Sequence, residues 1–571
     1  MTANDALAVA AIVLPLAVGV AIGIRSLREA ALAAAPWTAL PAFVAALDGG
    51  ASSVHADALL FGTTIGVEDV VTRVFLVLTA TVWLASAAYA RTYMAWDPRR
   101  ARYWVFASIT ASGNIGLVLA QDVASFYLFY SVMTFGAYGL VAHVSTAEAR
   151  RAGAVYLKMA LLGEMLLLAA FVILVGARID LPLHEAPRAV ADSPHRDLVV
   201  GLLLAGFGVK AGAIVLHVWL PVAHPAAPTP ASAALSGAMI AAGVLGWLRF
   251  LPLGIVALPG AGRICLAGGF AAAFYGVAVG VTQRDPKTVL AYSSVSQMGF
   301  VTAALGVALA SPSTAPLATA AILFYVLHHA LAKAALFLGT GIAMTAPTGW
   351  PRRLALAGLL VSALDLAGAP LSSGALAKIS LKHLAADRGA AFGMLLSAGA
   401  IGSTLLMVRV LSLAAARRGP VARRPLPWVP WLLLLALDVA LLAAPPIDRE
   451  RLELLVDPAS VASAAWPVLA GIAIAFAGRR LVRGLAIPPG DLLVVFERVG
   501  AWLRARIAGA VRAGVRAEDA LRAWLARRVA VPRRRQTLLR EASRLERGLS
   551  GFAPTGVALL VLGIVLAWAS R

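Results

Sequence analysis

The sequence predicts an all-α polytopic membrane protein of about sixteen transmembrane helices. Three observations carry that expectation. Of 571 residues, 60% are hydrophobic and only 13% are charged. Mean hydropathy is +0.84, far outside the soluble range. Apolar runs of membrane length also recur from one end of the chain to the other.

A span needs roughly 20 apolar residues. Candidate runs lie at 7–24, 31–47, 69–90, 103–119, 123–143, 154–176, 197–217, 229–250, 262–282, 288–309, 316–343, 354–382, 390–412, 427–445, 461–477 and 553–570. The second is short. The first follows "MTAND" and no small-residue cleavage site comes after it, so it reads as a retained span rather than a signal peptide.

The formal charge of +21 does not point to nucleic acid, because it follows alternate loops. Basic clusters occur at Arg25/Arg28, "DPRRAR" (97–102), Arg150/Arg151, Arg284/Lys287, "WPRR" (350–353), "RRGPVARR" (417–424) and Arg479/Arg480. The sixteen spans place all of them on one side, as the positive-inside rule requires, with both termini opposite. The single cysteine, Cys265, lies in an apolar run and reads as a small buried hydrophobe. One cysteine allows neither an internal disulfide nor an iron–sulfur cluster held by this chain alone. No GxGxxG, P-loop or HExxH motif is present, so no cofactor or catalytic metal is expected.

Against this apolar background a few polar residues stand out. Lys210 lies thirteen residues into its run, about 20 Å along a helix. A central charge costs about 2.5–3.5 kcal/mol or more, which makes such residues functional by default. An amine that loses and regains a proton in a dry site can act as a relay. His217, seven residues on, is expected on the same helical face. In "AILFYVLHHALAKAALFLGTGI" (321–342), His329 and Lys333 are one turn apart and His328 points to a neighbouring sector. In "LDLAGAPLSSGALAKISLKH" (364–383), Gly368, Pro370 and Gly374 should interrupt the helix, as transport proteins do beside a cavity. Asp365 precedes that interruption and Lys378 follows it; Lys382 is near enough to the end to snorkel. Asp438 is assigned no role, and Asp122 reads as a helix N-terminal acid.

The segments "KAGAIVLHVWLPVAHPAAPTPASAALSGAMIAAGVLGWLR" (210–249), "DPKTVLAYSSVSQMGF" (285–300), "LHHALAKAALFLGTG" (327–341) and "LAGAPLSSGALAK" (366–378) resemble the proton-antiporter-type membrane subunits of respiratory complex I, Mrp cation/proton antiporters and membrane-bound hydrogenases. The resemblance covers about 103–412. It implies two inverted five-helix repeats around broken helices and a central polar axis, with N-terminal helices over 1–102, repeats at 103–250 and 262–412, and further helices over 427–477. By motif match it implies a proton relay of Lys210, His217, His224, His328, His329, Lys333 and Lys378. The partners it implies are other membrane subunits, with protons or small cations as the transported species.

The departures bear on the same residues. Where the family usually has the glutamate that partners the first lysine, this chain has Ser131, and Ala241 and Val215 replace a frequent lysine and proline. Glu164, near the centre of the sixth run, is the candidate substitute; the alternatives are a local pair with Lys158 or a face turned to a partner subunit. Asp365 is a second possible acidic partner.

Between the last two runs, 488–548 carries fourteen arginines from Arg498 to Arg547 among Leu, Val, Ile and Trp at helical intervals. That is a basic amphipathic helix, broken at Pro532, suited to lie along a membrane with anionic lipid. With the closing run 553–570 it resembles the long subunit type that has a lateral helix and terminal anchor. The expected function is proton, or cation/proton, translocation within a multi-subunit complex in a bacterial inner membrane. The alternative is a non-pumping scaffold, or the energising subunit of a bicarbonate uptake complex.

Overall fold

The structure is a computed structural model; it describes residues 2–48, 50–56, 62–176, 181–384, 390–416, 426–442, 453, 455–484 and 487–528. These divide into two compact units, Met1–Asp491 and a second that begins at Leu492.

The first unit is helical almost throughout. In chain order its helices are α1 (Ala3–Gly23), α2 (Arg28–Ala34), α3 (Leu40–Asp48), α4 (Val70–Tyr93), α5 (Arg100–Leu119), α6 (Val123–Val141), α7 (Ala147–Val175), α8 (Ala186–Asp192), α9 (Arg196–Ala211) and α10 (Leu220–Ala226). There follow α11 (Thr229–Ala234), α12 (Ile240–Phe250), α13 (Pro259–Gly280), α14 (Pro286–Ala310), α15 (Ala315–Thr345), α16 (Trp350–Ala367), α17 (Ser373–His383), α18 (Ala390–Ala416) and α19 (Trp428–Ala440). Pro458–Gly484 closes the unit.

Among the described residues, twelve helical segments are long and apolar enough to cross a membrane. The runs expected at 103–119, 354–382 and 427–445 hold the helices Arg100–Leu119, Trp350–Ala367 followed by Ser373–His383, and Trp428–Ala440, which fall short of that measure, and 553–570 lies outside the described residues. The all-α expectation needs one correction. Ser52–Ala56 and Thr63–Val67 form an antiparallel hairpin, with Ser52 opposite Val67 and Ala56 opposite Thr63. Alternating burial along Ser52–Ala56 is the period-2 signature of a half-covered strand, which the search for long apolar runs passes over. The hairpin docks on the start of α6, where Asp122 accepts from the Thr64 amide at 2.8 Å and caps the helix through the Ser125 amide at 2.7 Å.

Burial sorts the helices into centre and rim. Within α15, 94% of the membrane-length window is buried, against 17% for Pro458–Arg479. The rim side chains Ile264, Val429 and Leu469 are exposed, as lipid-facing or partner-facing residues are. Close packing inside depends on small residues. Gly269 on α13 and Gly299 on α14 face each other so closely that a Cβ on either would come within 2.5 Å of the other's carbonyl oxygen.

Charged residues fasten the ends. Asp69 caps α4 and accepts from Arg249, at the end of α12, which also reaches the Thr72 hydroxyl. Burial alone would raise the Asp69 carboxyl, but the Arg249 guanidinium outweighs it and holds the group below its ordinary value. His143, in the loop after α6, bonds Asp97 at 3.3 Å. Burial, aided by Arg102 and Arg99, holds its ring below the usual histidine range against the opposing Asp97 charge.

The described part of the second unit continues the helix Asp491–Arg528. Here the Arg506 guanidinium stacks over Trp502 at 5.3 Å and Arg522 pairs with Glu518 at 2.6 Å. Pro532 lies outside the described residues.

Candidate functional site

Lys210 sits in the last turn of α9 and is buried. Its ammonium donates to the Thr134 hydroxyl on α6 at 3.0 Å and to the Tyr156 hydroxyl on α7 at 3.2 Å. The rings of Tyr130 and Tyr156 stand 5.4 and 5.3 Å away, within cation–π range. Glu164, on α7, is also buried. One carboxylate oxygen accepts from the Ser131 hydroxyl at 2.7 Å and the other has no hydrogen-bond partner. Thr134 acts on the Glu164 carboxyl as well as on Lys210. A hydroxyl therefore stands between the two charges, with no direct ion pair, and Lys158 is exposed. Ser131, the residue that the resemblance leads one to compare with the family glutamate, holds the acid that α7 supplies. A hydroxyl accepts from an ammonium and donates to an amine, so this setting serves Lys210 in either state.

His217 does not share a helix face with Lys210, as the seven-residue spacing led one to expect. That expectation required an unbroken helix. The chain instead turns at Gly212 (φ 76°) and Val215 (φ 71°) and resumes as a 3₁₀ turn over Leu216–Trp219. A β-branched residue at positive φ is a strained exception. The break turns His217 toward Tyr275 on α13 and Tyr292 on α14, at ring separations of 5.1 and 6.4 Å. Both tyrosine hydroxyls donate to one oxygen of Asp491, at 2.6 and 3.1 Å. Sequence reasoning missed Asp491. The "PPGD" string (488–491) signals only a helix start, and its partners lie some two hundred residues away.

A third group surrounds α15. The Lys333 ammonium donates to the Leu290 carbonyl at 2.6 Å and to the Ser293 hydroxyl, both on α14. His329, one turn earlier, is buried within electrostatic reach of Lys333, and neither ring nitrogen has a hydrogen-bond partner among the described residues. His224, on α10, stacks on Phe337 at 4.8 Å, also with both nitrogens unbonded, and lies within reach of Lys287 and Lys333. Lys287 is a second residue the sequence reading missed, because it was counted only as a loop charge. Its ammonium reaches inward to the Ala227 carbonyl at 2.5 Å, at the end of α10.

The fourth group lies at the second break. The glycine and proline signals locate it well: α16 ends at Gly368 (φ 85°), Leu371 adopts φ 58°, and Ser372 caps α17. Lys378 turns back onto the freed carbonyls of Leu366 (3.3 Å) and Ala367. Asp365, the expected acidic partner, does not bond Lys378. It accepts from the Ser373 hydroxyl at 2.9 Å and the Gly374 amide at 3.0 Å, and pairs with His328 at 3.2 Å. A Cβ at Gly374 would collide with the Asp365 carbonyl at 1.8 Å, so glycine permits this approach. Asp438, assigned no role from the sequence, is 1% exposed inside this chain. Its carboxylate comes within 4.8 Å of the His328 and Asp365 ligand atoms.

Electrostatic reach thus links Lys287, His224, Lys333, His329, His328, Asp365 and Lys378 in series. The Lys210 and His217 groups keep their own separate partners.

Helices interrupted beside Lys210 and Lys378, and titratable side chains in series inside a bundle of membrane-length helices, define a class: polytopic membrane proteins with basic residues at broken helices. The chain belongs to the NADH:quinone oxidoreductase/Mrp antiporter transmembrane family, whose model matches residues 120–405. It is 34% identical to hydrogenase-4 component B of Escherichia coli (strain K12) over 268 residues, covering 45% of this chain and 39% of that one. Against the chloroplastic NAD(P)H-quinone oxidoreductase subunit 5 of Zea mays, identity is 31% over 283 residues, covering 48% and 37%. Less than half of each relative is therefore spanned. In fold, the chain matches the Mrp complex from Dietzia sp. DQ12-45-1b with a TM-score of 0.74 at 20% identity, over 99% of this chain and 63% of that one.

Proposed function

We propose that this chain is an ion-translocating subunit of a multi-subunit complex in a bacterial inner membrane. Protons, alone or in exchange for a small cation, pass through Lys210, His217, His224, His328, His329, Lys333 and Lys378. Glu164 serves Lys210 through Thr134, and Asp365 serves the second half. One observation supports this most: Lys210, Lys333 and Lys378 are held by hydroxyls and carbonyls, with no carboxylate in ion-pair contact among the described residues. A purely structural lysine at mid-membrane depth would be expected to carry such a counter-ion.

The same reading assigns two inverted five-helix repeats to 103–250 and 262–412, each centred on a lysine-bearing break, with 1–102 and 427–477 as flanking helices. It takes sixteen spans in all, the basic loops on the cytoplasmic side. The exposed valines, tryptophans and arginines of Asp491–Arg528 suit a lateral helix over 488–548 lying on anionic lipid or neighbouring subunits, anchored by 553–570. Redox or other driving chemistry comes from other subunits.

The rival reading, a non-pumping scaffold or the energising subunit of a bicarbonate uptake complex, draws on Ser131 and Ala241, which stand where the resemblance leads one to expect a glutamate and a lysine. Replacing Lys210 and Lys333 separately by Met in the reconstituted complex distinguishes the two. A translocator loses most of its proton flux in both variants while assembly is retained; a scaffold keeps full flux in both.

A further inference from the structure

The strongest unassigned feature is the contact between α16, α15 and α19, where α19 lies beyond the residues matched by the family. Trp431 fixes α19 in place by donating to the Ala335 carbonyl at 3.0 Å. Asp438 is seven residues further on, two turns along the same face, and so is turned inward like Trp431. Both of its carboxylate oxygens are buried without a hydrogen-bond donor, which an ionised carboxylate in a dry interior does not tolerate. What faces it is another carboxyl, Asp365.

Asp365 already has its donors. Ser373, the Gly374 amide and His328 are three donors to a carboxylate with four acceptor positions. A metal ion at this point would have to displace them. A single proton on Asp438 displaces nothing: the O–H can donate to the remaining acceptor position of Asp365, so Asp438 is neutral and no unpaired buried charge is left. The surroundings agree. Titratable side chains on α15 are His328, His329, Lys333 and Tyr325, and those on α16 are Asp365, Arg352 and Arg353, the two arginines at its far end. On α17, Lys378 acts on Asp365. On α4, which also packs on α19, Arg73, Tyr89, Arg91 and Tyr93 stand toward the two helix ends. No donor among these replaces the proton.

We propose that Asp365 and Asp438 form a buried carboxyl pair holding one shared proton beside His328, a proton-storage site for which α19 supplies one half. The pair exists whether or not the chain pumps, although its use as a store rests on the translocation reading. Two neighbouring carboxyls in a low-dielectric site release their protons in separate steps, so the second proton is the one retained.

The test is infrared spectroscopy of the intact complex in lipid. Wild-type protein should show a deuterium-sensitive C=O band of a buried carboxylic acid. Because Glu164 could contribute its own band, the E164Q variant is measured in parallel, and the band should persist there. In E164Q/D438N it should vanish, and in E164Q/D438E, which keeps the acid and guards against a folding defect, it should remain at shifted frequency. An unchanged band in E164Q/D438N overturns the proposal. So does absence of any such band in E164Q, or one equivalent of zinc or manganese in purified protein that D438N abolishes. None of these readouts uses flux, so loss of pumping in Lys210 or Lys333 variants leaves them unaffected.

Discussion

Thr134→Val removes the one hydroxyl that serves both Lys210 and Glu164. The side chain keeps its shape and loses its hydrogen bond to the ammonium, 3.0 Å long. A hydrogen bond to a charged group contributes about 1.5–3 kcal/mol. Tyr156 remains as the second acceptor, at 3.2 Å, so Lys210 stays placed but loses half of its polar support. If that loss falls on the proton-transfer step, at 1.36 kcal/mol per tenfold, flux drops by about 10- to 150-fold. Proton uptake into proteoliposomes, read with a pH-sensitive dye, measures this, and Thr134→Ser should restore most of the rate. Flux within twofold of wild type in a correctly assembled T134V complex would refute the placement of Thr134 between the two charges.

Three further outcomes follow from packing and from end contacts. Gly269→Ala forces a Cβ against the Gly299 carbonyl and the Ala303 amide, both at 2.5 Å, so unfolding in detergent should move by about 1–3 kcal/mol toward instability. Asp69 has a folded value below its unfolded one, so its stabilisation is present above about pH 4 and is lost as pH falls through the lower folded value; Asp69→Asn should flatten that acid limb of the stability profile. His143 is likewise lowered by folding. Its ring is neutral in the folded protein near neutrality, and stability declines as pH drops below about 6.5, a decline that His143→Gln should reduce in pH-resolved thermal melts.

How much of this was legible in the sequence depends on whether the signal was local. Lys210, Lys333 and Lys378 announce themselves because an ammonium inside an apolar run has few structural excuses. The second break was readable from Gly368, Pro370 and Gly374. The first was not: one glycine among apolar residues is a weak signal, and nothing in a string predicts Val215 at positive φ. His217 was consequently placed on the wrong face. Lys287 was hidden by its company, since Arg284 beside it is a surface charge and the pair read as one topological signal. Asp438 and Asp491 show the harder limit. Each finds its meaning only in partners from other helices, Asp365 in one case and Tyr275 with Tyr292 in the other. The Ser52–Val67 hairpin escaped because its apolar stretch is too short for a span and its strand period is half covered by neighbours.

Whether the buried amines and imidazoles belong to one wet path is the claim on which the translocation reading rests. A cryo-electron microscopy map of the chain in lipid nanodiscs, at a resolution that shows ordered water, addresses it most directly. The account predicts water density joining Lys210 to the Lys287–Lys333–Lys378 series and continuing beside His217. A dry apolar seal between Lys210 and His224, or lysine ammonium groups turned out into lipid, would contradict it.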